Sequence, residues 1–339
     1  MLPPSVSLII CTVDRCKFLP KVMSAVHCLR GSFQELILVV GPAQDDTELV
    51  LLEYKDIINQ IIFTKQRNVS VARNLGLKAA SGDIIFYLDD DVIPPHNWID
   101  LHLQIYREQG AICGCVGGAV IDKTQANFSL QFSRGVNSCL SESKPILSAT
   151  ETTKYTSSPE WFCGVMGANA SYQREALVRI GYFDEFFEYF LEETDICLRL
   201  LEAGYRVHHI DAVVEHYVQP SHNRRDRRHL TCWYSLSKNT TYFAFKHGYQ
   251  KIPLPIFTIR LILLLIYRCL LRILRLKFTH NLPCNLIFQY IQESILGVRH
   301  GWLFGLKLHK FQEKRGYHLE IDFEDNGLVL LEKIPPGIL

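Results

Sequence analysis

The chain lacks a dominant charge, a zinc-type cysteine spacing and an uninterrupted apolar run, and each absence removes a class of function. Lys and Arg number 36 against 35 Asp and Glu, so no whole-protein field draws it to nucleic acid. A duplex binder would carry a basic stripe and a matching fold signature. Of the 11 cysteines, Cys113 and Cys115 stand close together, and Cys163, Cys197, Cys232, Cys269 and Cys284 are scattered among apolar neighbours. Without paired Cys-x-x-Cys knuckles there is no zinc ribbon. The thiols read as small buried hydrophobes of a reducing compartment. The opening MLPPSVSLIICT has neither a basic n-region nor a small-residue cleavage site, so it is expected to be a first strand rather than a signal peptide. No internal repeat is visible.

What is present suits a folded enzyme. The chain has 339 residues, 48% of them hydrophobic and 21% charged, enough for one large domain or two smaller ones. Short apolar runs at Val6–Cys11, Leu36–Val40, Ile57–Thr64 and Ile84–Leu88 alternate with helical spacing at Phe18–Leu29, Thr47–Tyr54 and Val69–Ala80. Gly82, just past the last of these, reads as a helix stop. Continuous apolar strands between amphipathic helices predict an α/β fold, a mainly parallel sheet with helices on both faces. Ligands bind such sheets beyond the carboxyl ends of the strands. Two of those ends are polar: Thr12, Asp14 and Arg15 after the first, and Asp89, Asp90 and Asp91 after the fourth. The polar, Ser/Thr-rich stretch 125–159 reads as a long loop.

Three adjacent carboxylates repel one another unless a cation neutralises them, and hard oxygen ligands favour Mg2+ or Mn2+. If the strand continues, Asp89 and Asp91 share one side and Asp90 the other. A solvated acidic turn before Pro94-Pro95 would read the same way. Glu192, Glu193 and Asp195 open an amphipathic helix. Acidic residues suit a first helical turn for dipole reasons alone, or one of them is a general base for an acceptor hydroxyl. His216, after a strand at Ala212–Val214, is either structural or a contact to a metal and diphosphate.

The order of these pieces resembles the family-2 glycosyltransferases of the GT-A fold. SVSLIICTVDR is similar to that family's first strand and nucleotide-contacting turn, and QRNVSVARNLGLKAASGDIIFYLDDDV to its Ala-Arg-Asn helix and Asp-x-Asp metal motif. GANASYQREALVRIGYFDEFF resembles its acceptor-side segment, and EETDICLRLLEAGYRVHHIDAVVEHY its Glu-Asp-x-Asp helix and late histidine. The similarity runs from about Val6 to Gly248; SLSKNTTYFAFKHG and GVRHGWLFGLK resemble segments that follow the catalytic domain in membrane-associated members. It implies an inverting, bacterial-type enzyme in which a nucleotide-sugar half covers about residues 1–124 and an acceptor half about 159–248. Thr12, Asp14, Arg15, Arg73, Asp89 and Asp90 would then bind the nucleotide sugar. Asp91, with Asp89 and His216, would hold Mn2+ or Mg2+, and Glu193 would be the base. Trp161, Asn169, Glu192 and Asp195 would lie on the acceptor side. The family usually ends its second strand in Val-Asp-Asp-Gly-Ser. Here Val39–Thr47 reads VVGPAQDDT, which keeps Asp45 and Thr47 and lacks the base-reading Asp. A thymidine or guanosine donor is therefore as open as a uridine one.

Two other classes compete. A nucleotidyltransferase would open with a Gly-rich phosphate loop, which ICTVDRCKF lacks. A silent sugar-nucleotide or membrane-docking module has no need of Glu193, Asp91 and His216 together. The expected partners are a nucleotide-sugar donor and a saccharide or lipid-linked acceptor, with no nucleic acid. Residues 249–339 are expected to be a helical C-terminal region. Within it, 256–276 is apolar but carries Arg260, Arg268, Arg272 and Arg275, too many for a span. Arg268, Arg272 and Arg275 fall on one helix face. That predicts a peripheral helix at the cytoplasmic face of a membrane, its arginines toward anionic head groups, or a helix packed on the domain.

Overall fold

The computed structural model describes residues 3–124, 128–221, 223, 232–280, 282–315, 321–324 and 327–330. The chain divides into two compact units. The first comprises Met1–Ser138, Ser143–Phe183 and Glu192–Leu230, the second Cys139–Glu142, Asp184–Leu191 and Thr231–Leu339.

The first unit opens with the expected alternation: β1 (Val6–Thr12), α1 (Leu19–Cys28), β2 (Glu35–Val40), α2 (Thr47–Leu52), β3 (Gln60–Phe63), α3 (Val69–Ala79) and β4 (Ile84–Asp89). Pro20 sits in the first turn of α1, where a missing N–H breaks no helical bond. Asn68 caps α3, its side-chain oxygen accepting from the N–H groups of Ser70 and Val71. Gly82 is not the helix stop. The helix ends as Ala80 turns extended, whereas a Cβ at Gly82 would lie 2.6 Å from the Ser7 backbone nitrogen. Glycine is needed there for close approach to β1.

The unit continues through β5 (Val92–Ile93), α4 (Trp98–Gln109), β6 (Cys113–Asp122), β7 (Ser129–Phe132), β8 (Val136–Ser138), β9 (Ser143–Lys144) and α5 (Ala149–Thr156). Then follow β10 (Trp161–Cys163), β11 (Ala170–Gln173), α6 (Arg174–Arg179), α7 (Glu192–Glu202) and β12 (Arg206–His216). The stretch expected as a loop over 125–159 therefore holds short strands and a helix, with 125–127 outside the described residues. Helix α5 starts from a capping box between Ser148 and Glu151.

The main sheet runs β3-β2-β1-β4-β11-β6-β12-β5, with β7 beside β6. The first four strands pair in parallel, as do β6 and β12, while β11 is antiparallel to both neighbours. This is the mainly parallel sheet that the alternation of elements predicts. Two registers matter for chemistry. Cys11 lies opposite Asp89, so the polar ends of β1 and β4 are adjacent. Val92 lies opposite His216, which brings the end of β12 to the carboxylate triplet.

The second unit is helical: α8 (Trp233–Gly248), α9 (Leu254–Leu265), a π-helical turn (Ile266–Leu271), α10 (Arg272–His280) and α11 (Cys284–Arg315), with the hairpin β13 (Ile321–Glu324) and β14 (Gly327–Leu330). The division falls near residue 231 rather than 248 because α8 packs along α11. Gly297, Gly301 and Gly305 recur every fourth residue along α11. A Cβ on them would meet Tyr234 O at 2.4 Å, Lys238 O at 2.3 Å and the Phe245 Cβ at 2.4 Å.

Two arginines of the stripe, Arg268 and Arg272, and Arg260 beside it have partners in the protein, as the alternative of a packed helix expects. Arg260 pairs with Glu142. Arg268 donates to the Ser141 hydroxyl at 3.0 Å and the Thr240 hydroxyl at 3.1 Å, and Arg272 lies 5.6 Å from the Trp233 ring centre. These cations turn to the protein because they find acceptors and a π-face there. Ile256, Ile259, Ile262, Leu263, Tyr267 and Phe278 are exposed instead.

Candidate active site

The triplet does not alternate as an extended strand would. Strand β4 ends at Asp89, and the chain turns, so the three carboxylates take three partners. Asp89 faces Arg73 at 3.5 Å, Asp90 pairs with Arg15 at 3.0 Å, and Asp91 Oδ1 lies 3.2 Å from His216 Nε2. The other Asp91 oxygen accepts from the Gln219 N–H at 3.0 Å. Burial pushes the Asp90 carboxyl up to about 6, although Arg15 beside it pulls the other way. Arg15 also donates to the Pro220 carbonyl at 2.8 Å.

His216 Nδ1 lies 2.8 Å from Gln131 Oε1. That carbonyl oxygen only accepts, so Nδ1 donates to it, and Nε2 is the ring nitrogen that faces Asp91. Nε2 is buried and, despite its closeness to Asp91, makes no aligned hydrogen bond. An imidazole nitrogen beside a carboxylate oxygen is a pair of ligand types that Mn2+ or Mg2+ accepts. Among the described residues no three His, Cys, Asp or Glu side chains form a metal cluster, so a cation held by this pair would need phosphate oxygens and water to complete its shell.

A second centre forms around Arg73 on α3. Its side chain is only 4% exposed, and its guanidinium meets Glu192 Oε1 at 3.1 Å and Glu193 Oε1 at 3.5 Å as well as Asp89. The Tyr87 and Phe183 rings lie 5.6 and 5.5 Å away. Glu193 Oε1 accepts from the Gly167 N–H at 3.1 Å. A Cβ on Gly167 would fall 2.1 Å from that oxygen, so only glycine lets the backbone reach it. Glu192 is buried, and desolvation, with the neighbouring Glu193 charge, pushes its carboxyl up to about 8 against the pull of Arg73. Burial thus favours the protonated form of Glu192.

Thr12 is buried at the end of β1. Asp14 has a left-handed backbone, φ 56°, which Asp tolerates better than most residues. Its carboxylate pairs with Arg67 at 2.9 Å and accepts from the Gln44 N–H at 2.6 Å. Asp45 accepts from the Thr47 N–H at 3.0 Å and the Cys16 N–H at 3.0 Å. Neighbouring Thr47 accepts from the Arg15 N–H at 2.7 Å. Asp45 and Thr47 therefore shape the loop that presents Asp14 and Arg15.

Two residues expected on the acceptor side are committed elsewhere. Asn169 is fully buried. It donates to the carbonyls of Ala119 and Ala212 and accepts from the Trp98 indole at 2.8 Å, which ties α4 to the sheet. His102, which lies 3.1 Å from the same Asn169 oxygen, is held neutral by burial, its pKa near 3. Asp195, also fully buried, pairs with Arg199 at 2.7 Å. Arg199 in turn donates to the Ile180 and Tyr182 carbonyls. Trp161 is half-buried beside Tyr155, ring centres 5.1 Å apart. Gly167, Gln131, Gln219 and Arg67 were not singled out by the sequence reading. Gly167 lies within the quoted GANASYQ segment and Arg67 within the quoted QRNVSVARN segment; Gln131 and Gln219 are isolated polar residues with no spacing to mark them.

A model of glycosyl transferase family 2 matches residues 7–181. An uncharacterised glycosyltransferase of Rickettsia bellii is 31% identical over 108 residues, covering 32% of this chain and 16% of that protein. The glucosyl-dolichyl phosphate glucuronosyltransferase of Haloferax volcanii is 23% identical over 213 residues, covering 60% and 65%. The chain thus spans less than two thirds of either relative. Among solved structures, GalNAc-T7 with UDP, GalNAc and Mn2+ superposes with a TM-score of 0.57 at 16% identity, over 72% of this chain and 48% of that one. The mannosyltransferase PcManGT of Pyrobaculum calidifontis with GDP-Man and Mn2+ gives 0.52 at 14%, over 92% and 88%.

Proposed function

Because the chain belongs to glycosyl transferase family 2, we propose that it moves a sugar from a nucleotide-diphosphate sugar to an acceptor hydroxyl, inverting the anomeric centre. One observation carries this reading: Arg73 faces both Asp89, at the end of β4, and Glu193, at the start of α7. A donor-side carboxylate and a candidate base thus meet at one buried cation. Glu193 accepts the acceptor's proton through the carboxylate that Gly167 and Arg73 orient, as a general base does. A single displacement of this kind inverts; retention through a glycosyl-enzyme needs a placed carboxylate nucleophile. Asp91 and His216 would hold Mn2+ or Mg2+, which neutralises charge on the departing diphosphate. Thr12, Asp14 and Arg15 line the nucleotide side. The base is left open by Gly41-Pro42, and the structural neighbours were solved with UDP in one case and GDP-Man in the other.

The test is a panel of UDP-, GDP- and dTDP-sugars with Mn2+. Wild-type protein should release nucleoside diphosphate slowly from one of them without acceptor, and Glu193→Gln should not. Pyrophosphate release from a nucleoside triphosphate and a sugar 1-phosphate would identify a nucleotidyltransferase instead. Tight binding without turnover, with or without acceptors, would identify a silent module.

The reading extends to location and acceptor. The helix Leu254–Thr279 has a mean hydropathy of 2.1 in its most apolar window, of which 17% is buried. Arg260, Arg268 and Arg272 have partners within the second unit. We place its exposed apolar face in the interface of a membrane, lying on it rather than crossing it. The compartment is one that keeps the free cysteines reduced, the cytoplasmic side. A lipid-linked saccharide is the acceptor this arrangement suits, and the Haloferax relative's name describes one such substrate.

A further inference from the structure

The geometry points to Arg73 as a positioning residue for the base, not a ligand of the nucleotide or diphosphate. This inference rests on the transfer reading above and goes beyond it. Arg73 is where the family resemblance would put a donor contact. Its guanidinium is instead enclosed by protein. Glu192 takes one nitrogen at 3.1 Å, Glu193 shares it at 3.5 Å, and Asp89 faces the other at 3.5 Å. The aromatic rings of Tyr87 and Phe183 lie on its flanks, and the Tyr87 hydroxyl fastens the Arg73 carbonyl at 3.1 Å. With a side chain 4% exposed, Arg73 offers little surface to a ligand.

The arrangement specifies what Arg73 does. Glu193 is 19% exposed, whereas Glu192 is 5% exposed. Both approach Arg73 through Oε1, and the Gly167 N–H fixes Glu193 Oε1 from another side. An oxygen held by a cation and an N–H leaves the second oxygen of the same carboxylate as the one to receive a proton. The charged and titratable groups around Glu193 are Arg73 from α3, Glu192 from its own helix, Asp89 from β4 and Tyr172 from β11. Arg73 is the one cation among them, so it is the charged group that holds the Glu193 carboxylate in place. Loosening that contact should lower turnover and leave donor affinity nearly unchanged.

The experiment compares wild type, Arg73→Lys and Gly167→Ala. A Cβ at residue 167 would press on Glu193 Oε1 at 2.1 Å and on an Arg73 terminal nitrogen at 2.7 Å. It disturbs the same contact from the other side while keeping the buried charge. Two readouts are needed: binding of nucleoside diphosphate with Mn2+ by calorimetry, and kcat with KM. Both variants should bind nucleotide within about threefold of wild type and lose roughly 10- to 100-fold in kcat, the scale seen for orienting partners. Turnover lost while nucleotide affinity is kept is a split that a loss of folding alone does not produce. Unchanged kcat in both variants would overturn the inference. So would a fall in nucleotide affinity matching the fall in kcat/KM, since Arg73 would then be a donor ligand. If the wild type itself turns over no nucleotide sugar, the reading of function fails first, and the binding arm still reports whether Arg73 touches nucleotide.

Discussion

Neighbouring residues Glu192 and Glu193 occupy opposite environments and should answer the same substitution oppositely. Glu193→Gln keeps shape and loses the proton acceptor, so turnover should fall by roughly 100-fold or more, with nucleotide binding kept. Burial favours the protonated form of Glu192, which resembles Gln, and Glu192→Gln should keep most of the activity. If the Glu192 variant is dead and the Glu193 variant active, the base is Glu192. The same proton makes a stability prediction. Burial raises the Glu192 pKa from 4.5 to about 8, so folding favours its protonated form. Its contribution is fully present below about pH 4.5 and is lost as pH rises through about 8. Melting temperatures from pH 5 to 9 should therefore fall more steeply for wild type than for Glu192→Gln. Parallel curves would mean that Glu192 ionises normally in the folded protein.

At the scale of elements, the pair α8 and α11 depends on absent side chains. Gly301 lies where a Cβ would come within 2.3 Å of the Lys238 carbonyl oxygen. Backbone cannot yield as a flexible side chain can, so Gly301→Leu should cost at least the ~1–3 kcal/mol typical of overpacking. A thermal melt checks this, and an unchanged midpoint would mean the helices do not pack as described. The sequence reading found most of the first unit because β1, β2 and β4 are continuous apolar runs, and periodicity reads those well. It missed β7 to α5 because strands of two to four residues, without alternation, leave no period to find. The shared face of Arg268, Arg272 and Arg275 was read by spacing alone. Spacing gives the shared face and not its direction; that was decided by Glu142, Ser141, Thr240 and Trp233. Asn169 and Asp195 had the right residue type in a matching motif, yet their hydrogen bonds serve the scaffold. Asp91 and His216 were legible as residues, but their contact follows from the Val92 and His216 register, which is tertiary.

At the scale of the whole molecule, the proposed membrane contact rests on the exposed apolar face of the α9–α10 helix and not on the arginines that the charge pattern suggested. Ile259, Ile262 and Leu263 are 59%, 51% and 59% exposed. Wild-type protein should float with phospholipid vesicles and stay bound in high salt, because burial of apolar surface is not screened. Changing these three residues to Ser should leave it at the bottom of the gradient. Release of wild type by salt would return the contact to the arginines, and no flotation at all would make the helix a surface for something other than lipid.

The central claim is that Asp91 and His216 hold a divalent cation against a nucleotide-sugar donor, with Glu193 as the base. The most direct measurement is donor turnover as a function of Mn2+, for wild type and for Asp91→Ala, once the panel has identified the donor. Wild-type turnover should be abolished by chelation, return saturably with Mn2+, and be lost in Asp91→Ala at every Mn2+ concentration. Turnover that persists in chelator, or that survives in Asp91→Ala with the same Mn2+ dependence, would contradict the account.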